Sequence, residues 1–325
     1  MKKLFSMLLV VLLSAALCCI SYAADAEYSL NDVLSAMDLM RQKSPSYTQR
    51  IAYDANGDGD LHLDDVLSMI AYCQKNSKPS DCAFSGRTDH DCVVDDIKPG
   101  QYADLTYTSS TYKIDMNYRV RVPKNYSPDG EYALVVFLHG LGGESQSISQ
   151  LGGGALFTNI LRSDYGNDTI LLVPQCPKGM TWPDNRKTVE VAYELIDMLA
   201  SHLAIDRDRM YLSGHSNGAK GVAYMIDSHP YVFAAAILSA GASPIGNYKN
   251  FEGMAATPMR MYCSNDDPYK FYTHMKSLAV ALQYKGGDAV YKEYNGLGHG
   301  IFTTVSNESG LIDWMYEQTR ANTEK

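Results

Sequence analysis

Six consecutive apolar residues, Ala133 to Leu138, stand between polar stretches near the middle of the chain. A short run with no polar position reads as a central parallel strand buried on both faces. Ahead of it, Leu105–Thr108 and Tyr118–Val122 read as an opening antiparallel pair. Behind it the pattern alternates. Strands are predicted at Thr169–Val173, around Met210, and at Phe233–Leu238, Pro258–Cys263 and Ala289–Tyr294. Between them, helical spacing runs over Val189–Leu203, Ala219–Ile226 and Phe271–Leu282, with a terminal helix from Leu311. Strand–helix alternation from residue 102 to the end, 325, implies an α/β domain with a mostly parallel sheet covered on both faces.

The first hundred residues follow other rules. Lys2 and Lys3 precede an apolar run from Leu4 to Ile20 and the small-x-small triplet Ser21-Tyr22-Ala23. A basic start, an apolar centre and such a triplet make residues 1–23 a secretory signal peptide, so a secreted, extracellular protein is expected. No later apolar stretch is long enough to span a bilayer. Residues 74–101 are polar and turn-rich, with Pro79, Gly86 and Pro99-Gly100, and read as a linker over 76–101. Cys82 and Cys92 within it close a short loop, and in an oxidising compartment they are expected to form a disulfide.

At 46% hydrophobic and 20% charged, the 325 residues have room for one large domain and a small one. The net charge of −9 becomes −11 once the signal leaves, because Lys2 and Lys3 go and no acid does. A surface that acidic disfavours nucleic acid and anionic membranes as partners.

Residues 24–75 carry a twelve-residue loop, Asp54 to Asp65. Asp54, Asn56 and Asp58 supply side-chain oxygens at loop positions 1, 3 and 5, and Gly59 makes the turn at position 6. The Asp60 carbonyl serves at position 7 and Asp65 closes the loop at position 12. Calcium, a hard cation, wants this many oxygens. The segment Ser29–Ser35 also echoes His62–Ser68, Asp65 standing 33 residues after Asp32. Two loop–helix units in tandem, closed by Asp, resemble a dockerin, a small EF-hand-like helical module. The resemblance implies a cohesin-bearing scaffold as a partner. The first copy lacks the calcium loop, so one Ca²⁺ is expected where a dockerin binds two.

The chemistry-bearing residues belong to the α/β domain. Gly214-His215-Ser216-Asn217-Gly218 follows the Met210 strand and opens a helix, so it matches the G-x-S-x-G turn that lifts a serine clear of a sheet. A serine hydroxyl needs a base, and the base needs an orienting acid. His299, in Gly296-Leu297-Gly298-His299-Gly300, follows the last strand, while His62 lies in the calcium loop, His90 in the linker, and His202, His229 and His274 in or beside predicted helices. The acid is sought after the Pro258–Cys263 strand, where Asp266 and Asp267 stand. Asp267 precedes Pro268, which biases its backbone to extended conformations, so Asp266 is preferred. His139-Gly140-Leu141-Gly142-Gly143 ends the Ala133–Leu138 strand, where open α/β sheets place ligands. The amides of Leu141 and Asn217 are the candidate oxyanion hole. His139 is expected to orient its loop rather than react.

Tyr118–Pro123, Val136–Gly140, Val173–Pro177 with Trp182, Gly214–Gly218 and Gly298-His299 together resemble one group of α/β-hydrolases. This is the feruloyl esterase, acetylxylan esterase and polyhydroxybutyrate-depolymerase-like group, and the chain is also similar to its predicted-peptidase branch. The resemblance covers residues 102–316. It implies a serine esterase with Ser216, Asp266 and His299 as triad, no cofactor for catalysis, and Trp182 in the wall of the acyl pocket. The family's acid position, three residues after Cys263, also points to Asp266. Ala219 and Cys263 replace glycines usual in the group and touch no catalytic atom. The dockerin-like module points to plant cell-wall polysaccharide as substrate. A serine peptidase of the same fold and an inactive hydrolase-like binding protein remain open alternatives.

Overall fold

The strand β3 (Tyr132–Leu138) is buried at all seven positions, with β4 (Thr169–Pro174) on one side and β5 (Ile205–His215) on the other, both parallel to it. Its apolar run leaves no polar side chain to desolvate, and each buried Val, Leu or Phe contributes roughly 1.5–3 kcal/mol. In this computed structural model, residues 97–183 and 186–320 are described. The expected signal peptide, calcium loop and Cys82–Cys92 pair lie outside the described residues.

Eight strands form one sheet in the order β1-β2-β4-β3-β5-β6-β7-β8. β1 (Tyr102–Ser109) pairs antiparallel with β2 (Ile114–Arg121), and β2 pairs antiparallel with β4. From β4 onward all neighbours are parallel, through β6 (Ala235–Ser239), β7 (Met259–Ser264) and β8 (Ala289–Tyr294). The opening antiparallel pair and the apolar run of the central parallel strand thus have the outcome expected of them. The strand order and mixed sheet fit the α/β-hydrolase fold.

Among the described residues seven α-helices connect or flank the strands: α1 (Gly154–Arg162), α2 (Lys187–His202), α3 (Asn217–Ser228), α4 (Phe251–Ala255), α5 (Phe271–Tyr284), α6 (Phe302–Ser306) and α7 (Leu311–Tyr316). In α5, Met275, Leu278, Ala279 and Leu282 are buried, the spacing of one helical face. α3 is buried nearly all round, which its small residues Gly218, Ala219, Gly221 and Ala223 permit. The sequence reading lacked α1, α4 and α6. α1 starts beside Gly152-Gly153 and buries only Leu156, Phe157 and Ile160, too short a pattern to stand out from a loop. Among the described residues no helix is long and apolar enough to cross a membrane.

Parallel strands bring their carboxyl ends to one edge of the sheet. The loops after β3, β4, β5, β6, β7 and β8 therefore meet there, and they carry His139, Trp182, Ser216, Gly241, Asp267 and His299. Gly241 matters because a Cβ on it would stand 1.9 Å from the Ser216 carbonyl oxygen, which is backbone and has nowhere to go. Gly241→Ala is expected to lower stability by on the order of 3 kcal/mol, as overpacking does when the obstacle cannot yield. Gly246→Ala, with open space around the added methyl, serves as the control. Urea unfolding of both variants checks this; equal midpoints would show that the elbow has room.

Candidate active site

Ser216 sits between β5 and α3 with φ 56° and ψ −117°. A positive φ in a residue with a Cβ costs on the order of 1–3 kcal/mol and persists only where the surroundings enforce it. The enforcement is visible. Ser216 N–H donates to the Ser239 carbonyl at 2.8 Å, and a Cβ on Gly218 would stand 1.9 Å from the Leu138 carbonyl oxygen. Glycine at 218 and 241 lets two neighbouring segments close on the turn, which holds the serine proud of the sheet.

The hydroxyl meets His299, whose Nε2 lies 2.8 Å from Ser216 Oγ. On the other side of the ring, His299 Nδ1 lies 2.7 Å from Oδ2 of Asp267, whose side chain has no exposed surface. With Nδ1–H donating to the carboxylate, Nε2 is left as the acceptor of the serine proton. A fully buried carboxylate beside Nδ1 favours that tautomer and would stabilise the imidazolium formed on proton transfer.

The expected acid, Asp266, is displaced by its neighbour. Ser264 carbonyl accepts from Asp267 N–H at 3.1 Å, closing a tight turn that aims the two carboxylates in different directions. Asp266 is exposed and binds the loop before the histidine: its Oδ1 accepts from Ser264 Oγ at 2.5 Å and from Gly298 N–H at 2.9 Å. Ser264 Oγ accepts from Leu297 N–H in turn, at 3.1 Å. These bonds, the Ser264 hydroxyl first, hold the Asp266 carboxyl below its usual pKa. It is Asp267, not the expected Asp266, whose carboxylate meets His299 Nδ1, and Asp266 latches the His299 loop. Pro268 restricts the Asp267 backbone but not its χ1, so the objection from proline did not bear on where the side chain points.

Trp182 is also corrected. It is fully buried, so it presents nothing to an acyl group. Its indole Nε1–H donates to the His139 carbonyl at 2.8 Å, and its backbone N–H donates to Asn217 Oδ1 at 3.0 Å. It thereby ties together the two segments holding the candidate oxyanion amides. His139 does what was expected of it. Its Nε2 accepts from Cys176 N–H at 3.0 Å and its Nδ1 donates to the Gly140 carbonyl at 2.7 Å. Burial keeps its pKa below the usual histidine value. Pinning the Gly140 carbonyl fixes the Leu141 N–H as well, since a planar trans peptide points the two in opposite directions.

The loop passes close to the serine: a Cβ on Gly140 would stand 3.4 Å from Ser216 Cβ. Asn217 opens α3, so its N–H is one of the donors that a helix N-terminus leaves without an intrahelical partner. Gln175, which the sequence reading quoted but gave no role, donates through Nε2 to the carbonyls of Gly143 and Gln146, at 2.9 and 2.8 Å. The site can therefore deprotonate a hydroxyl against a held imidazole, with backbone donors beside it.

His215 packs its ring 5.1 Å from that of His299 and accepts or donates at 3.3 Å with Ser239 Oγ. Burial, helped by the neighbouring His299, lowers its pKa to about 4, against the opposing pull of Ser239 and Asp267. An unfolded histidine titrates near 6.5, so between pH 6.5 and 4 the unfolded chain binds a proton that the native chain refuses. Stability is whole above pH 6.5 and falls as pH drops toward 4, by roughly 3 kcal/mol at most from this group. Urea midpoints measured across that range should decline, less steeply for His215→Gln. Parallel profiles would remove His215 as a cause.

Residues 109–290, more than half of the chain, match the model of the Esterase family, described as "Putative esterase". Among solved structures, a thermostable esterase shares 27% identity over 70% of this chain at a TM-score of 0.62. The match spans 64% of that protein's length. A ferulic acid esterase matches at 15% identity and a TM-score of 0.54, over 67% of this chain and 98% of its own. The CE1 ferulic acid esterase of the anaerobic fungus Anaeromyces mucronatus matches at 17% and 0.52, over 66% of this chain and 88% of its own. At such identities the last two speak for the fold. The family match, which spans the strand–turn–helix carrying Ser216 and the loop carrying Asp267, places this chain in the Esterase family.

Proposed function

We propose that the protein is a secreted serine esterase that removes feruloyl or acetyl groups from plant cell-wall polysaccharide. The observation that carries the reading is the line of contacts from Asp267 through His299 to Ser216, 2.7 and 2.8 Å long, ending on a strained serine. Ser216 Oγ attacks the ester carbonyl as its proton passes to His299 Nε2. The Leu141 and Asn217 amides hold the oxyanion, and His299 returns the proton to the leaving alcohol. Water then repeats the sequence on the acyl-enzyme, with Asp267 holding the tautomer throughout. Plant-wall substrate and calcium binding by Asp54, Asn56, Asp58, Asp60 and Asp65 are supported by the sequence pattern of the N-terminal segment. The same pattern supports a cohesin-bearing scaffold as partner.

The test sets the full chain and its Ser216→Ala variant against methyl ferulate, acetylated xylan and a chromogenic peptide. Turnover of one of the two esters, absent in Ser216→Ala, is the expected result. Peptide cleavage without ester cleavage would replace the reading with a peptidase.

A further inference from the structure

Lys220 lies one turn into α3, and the reaction proposed above does not use it. Its backbone N–H donates to the Ser216 carbonyl at 3.3 Å, so the two residues share a face of the helix. Side chains of a helix lean toward its N-terminus, which here is Ser216. The ammonium ends 4.4 Å from the centroid of the Phe271 ring, and that ring is 5.9 Å from the imidazole of His299. Tyr269 stacks on Phe271 at 5.7 Å and meets His299 edge-on at 4.8 Å. One cation and two aromatic rings therefore form a continuous patch beside the His299 imidazole. With Tyr269 63% exposed, the patch is open to solvent.

The cation lacks a carboxylate partner that several other cations here possess. Arg209, Arg260 and Lys292 each hold a carboxylate oxygen, at 2.5, 2.9 and 2.7 Å. Among the described residues no carboxylate pairs with Lys220, although the chain has 37 acids to 28 bases. Burial lowers its pKa and no acid opposes the shift. A half-buried, unpaired charge is costly, and the cost is offset when a counter-charge arrives.

We propose that Lys220, with Phe271 and Tyr269, forms a subsite for a carboxylate carried by the ester substrate, its connecting arm lying on the two rings. The inference rests on Ser216 being the ester nucleophile. The carboxylate can belong to the acyl half, as in a hemi-ester of a dicarboxylic acid, or to the alcohol half, as in an esterified uronate or hydroxybenzoate.

Two matched pairs separate these sources: 4-nitrophenyl hemisuccinate against 4-nitrophenyl butanoate, and 4-acetoxybenzoate against 4-acetoxybenzamide. The readout is the ratio of kcat/KM, anionic over neutral, in the wild type, Lys220→Met and Lys220→Arg. Methionine keeps an unbranched side chain of similar reach and removes the charge that lies over Phe271. One pair is expected to lose about tenfold or more of its ratio in Lys220→Met, the range of one charge-assisted hydrogen bond, and to regain most of it in Lys220→Arg. The pair that responds identifies the half of the substrate that bears the carboxylate. Unchanged ratios in both pairs would overturn the proposal and leave Lys220 as packing for Phe271. Should the wild type hydrolyse none of the four, the esterase reading is still judged on methyl ferulate and acetylated xylan. Calorimetry with succinate and 4-hydroxybenzoate then decides the subsite alone: binding lost in Lys220→Met sustains it, and equal or absent binding in both proteins overturns it.

Discussion

Ser216→Ala and His299→Ala are each expected to lower kcat for ester hydrolysis by about 10⁴-fold or more, because nucleophile and base act as one unit. The double variant should then be scarcely worse than either single one. The hydroxyl and the imidazole are 2.8 Å apart, and removing either leaves the other with no proton transfer to perform. Ser216→Ala keeps the positive φ of the elbow, so it should fold, although it relieves none of the strain at that position. Near-UV circular dichroism would show native packing while turnover of 4-nitrophenyl acetate is measured. A folded variant that kept most of its kcat would remove Ser216 or His299 from the reaction.

The second large effect separates two adjacent carboxylates. Asp267→Asn is expected to lower kcat by about 10³- to 10⁴-fold with the fold intact. An amide facing His299 Nδ1 can present its NH₂ group, which turns the ring to the tautomer whose Nε2 carries the proton and cannot accept one from serine. Asp266→Asn should cost far less, since the amide oxygen still accepts from Gly298 N–H and the latch on the histidine loop survives. Asp266→Ala should cost more than Asp266→Asn, because it frees Gly298 N–H and loosens the segment that carries His299. Initial rates for the three variants at neutral pH check the order. A large loss in Asp266→Asn beside a small one in Asp267→Asn would return the orienting role to Asp266.

Sequence legibility followed from how local each constraint is. The continuous burial of β3 was readable because a strand flanked on both sides by parallel neighbours must be apolar throughout. The elbow was readable in part because glycine at 214 answers to crowding by Gly218 and Ala219, a few residues from Ser216, whereas glycine at 218 answers to the Leu138 carbonyl at the end of β3. The histidine was readable from its place after the last strand. Where the constraint came from a distant segment, pattern was silent. Gly241 is needed because of Ser216, a contact made only when β6 and β5 lie side by side.

Trp182 reads as a pocket wall in sequence because aromatic residues line many pockets. Its burial was decided by two acceptors, the His139 carbonyl and Asn217 Oδ1, brought to it from the ends of β3 and β5. Asp266 and Asp267 differ by one position, and propensity could only weigh the proline that follows. The turn closed by Asp267 N–H on Ser264, together with the Gly298 amide that claims Asp266, settled which carboxylate faces the imidazole. By itself the sequence determined the strand pattern and singled out Ser216 and His299, the pair that the structure brings to 2.8 Å, each written in short-range spacing. Tertiary structure alone decided which carboxylate faces His299, what holds the loops after β3 and β5, and that no carboxylate among the described residues pairs with Lys220, because those depend on which side chains meet across the carboxyl edge of the sheet.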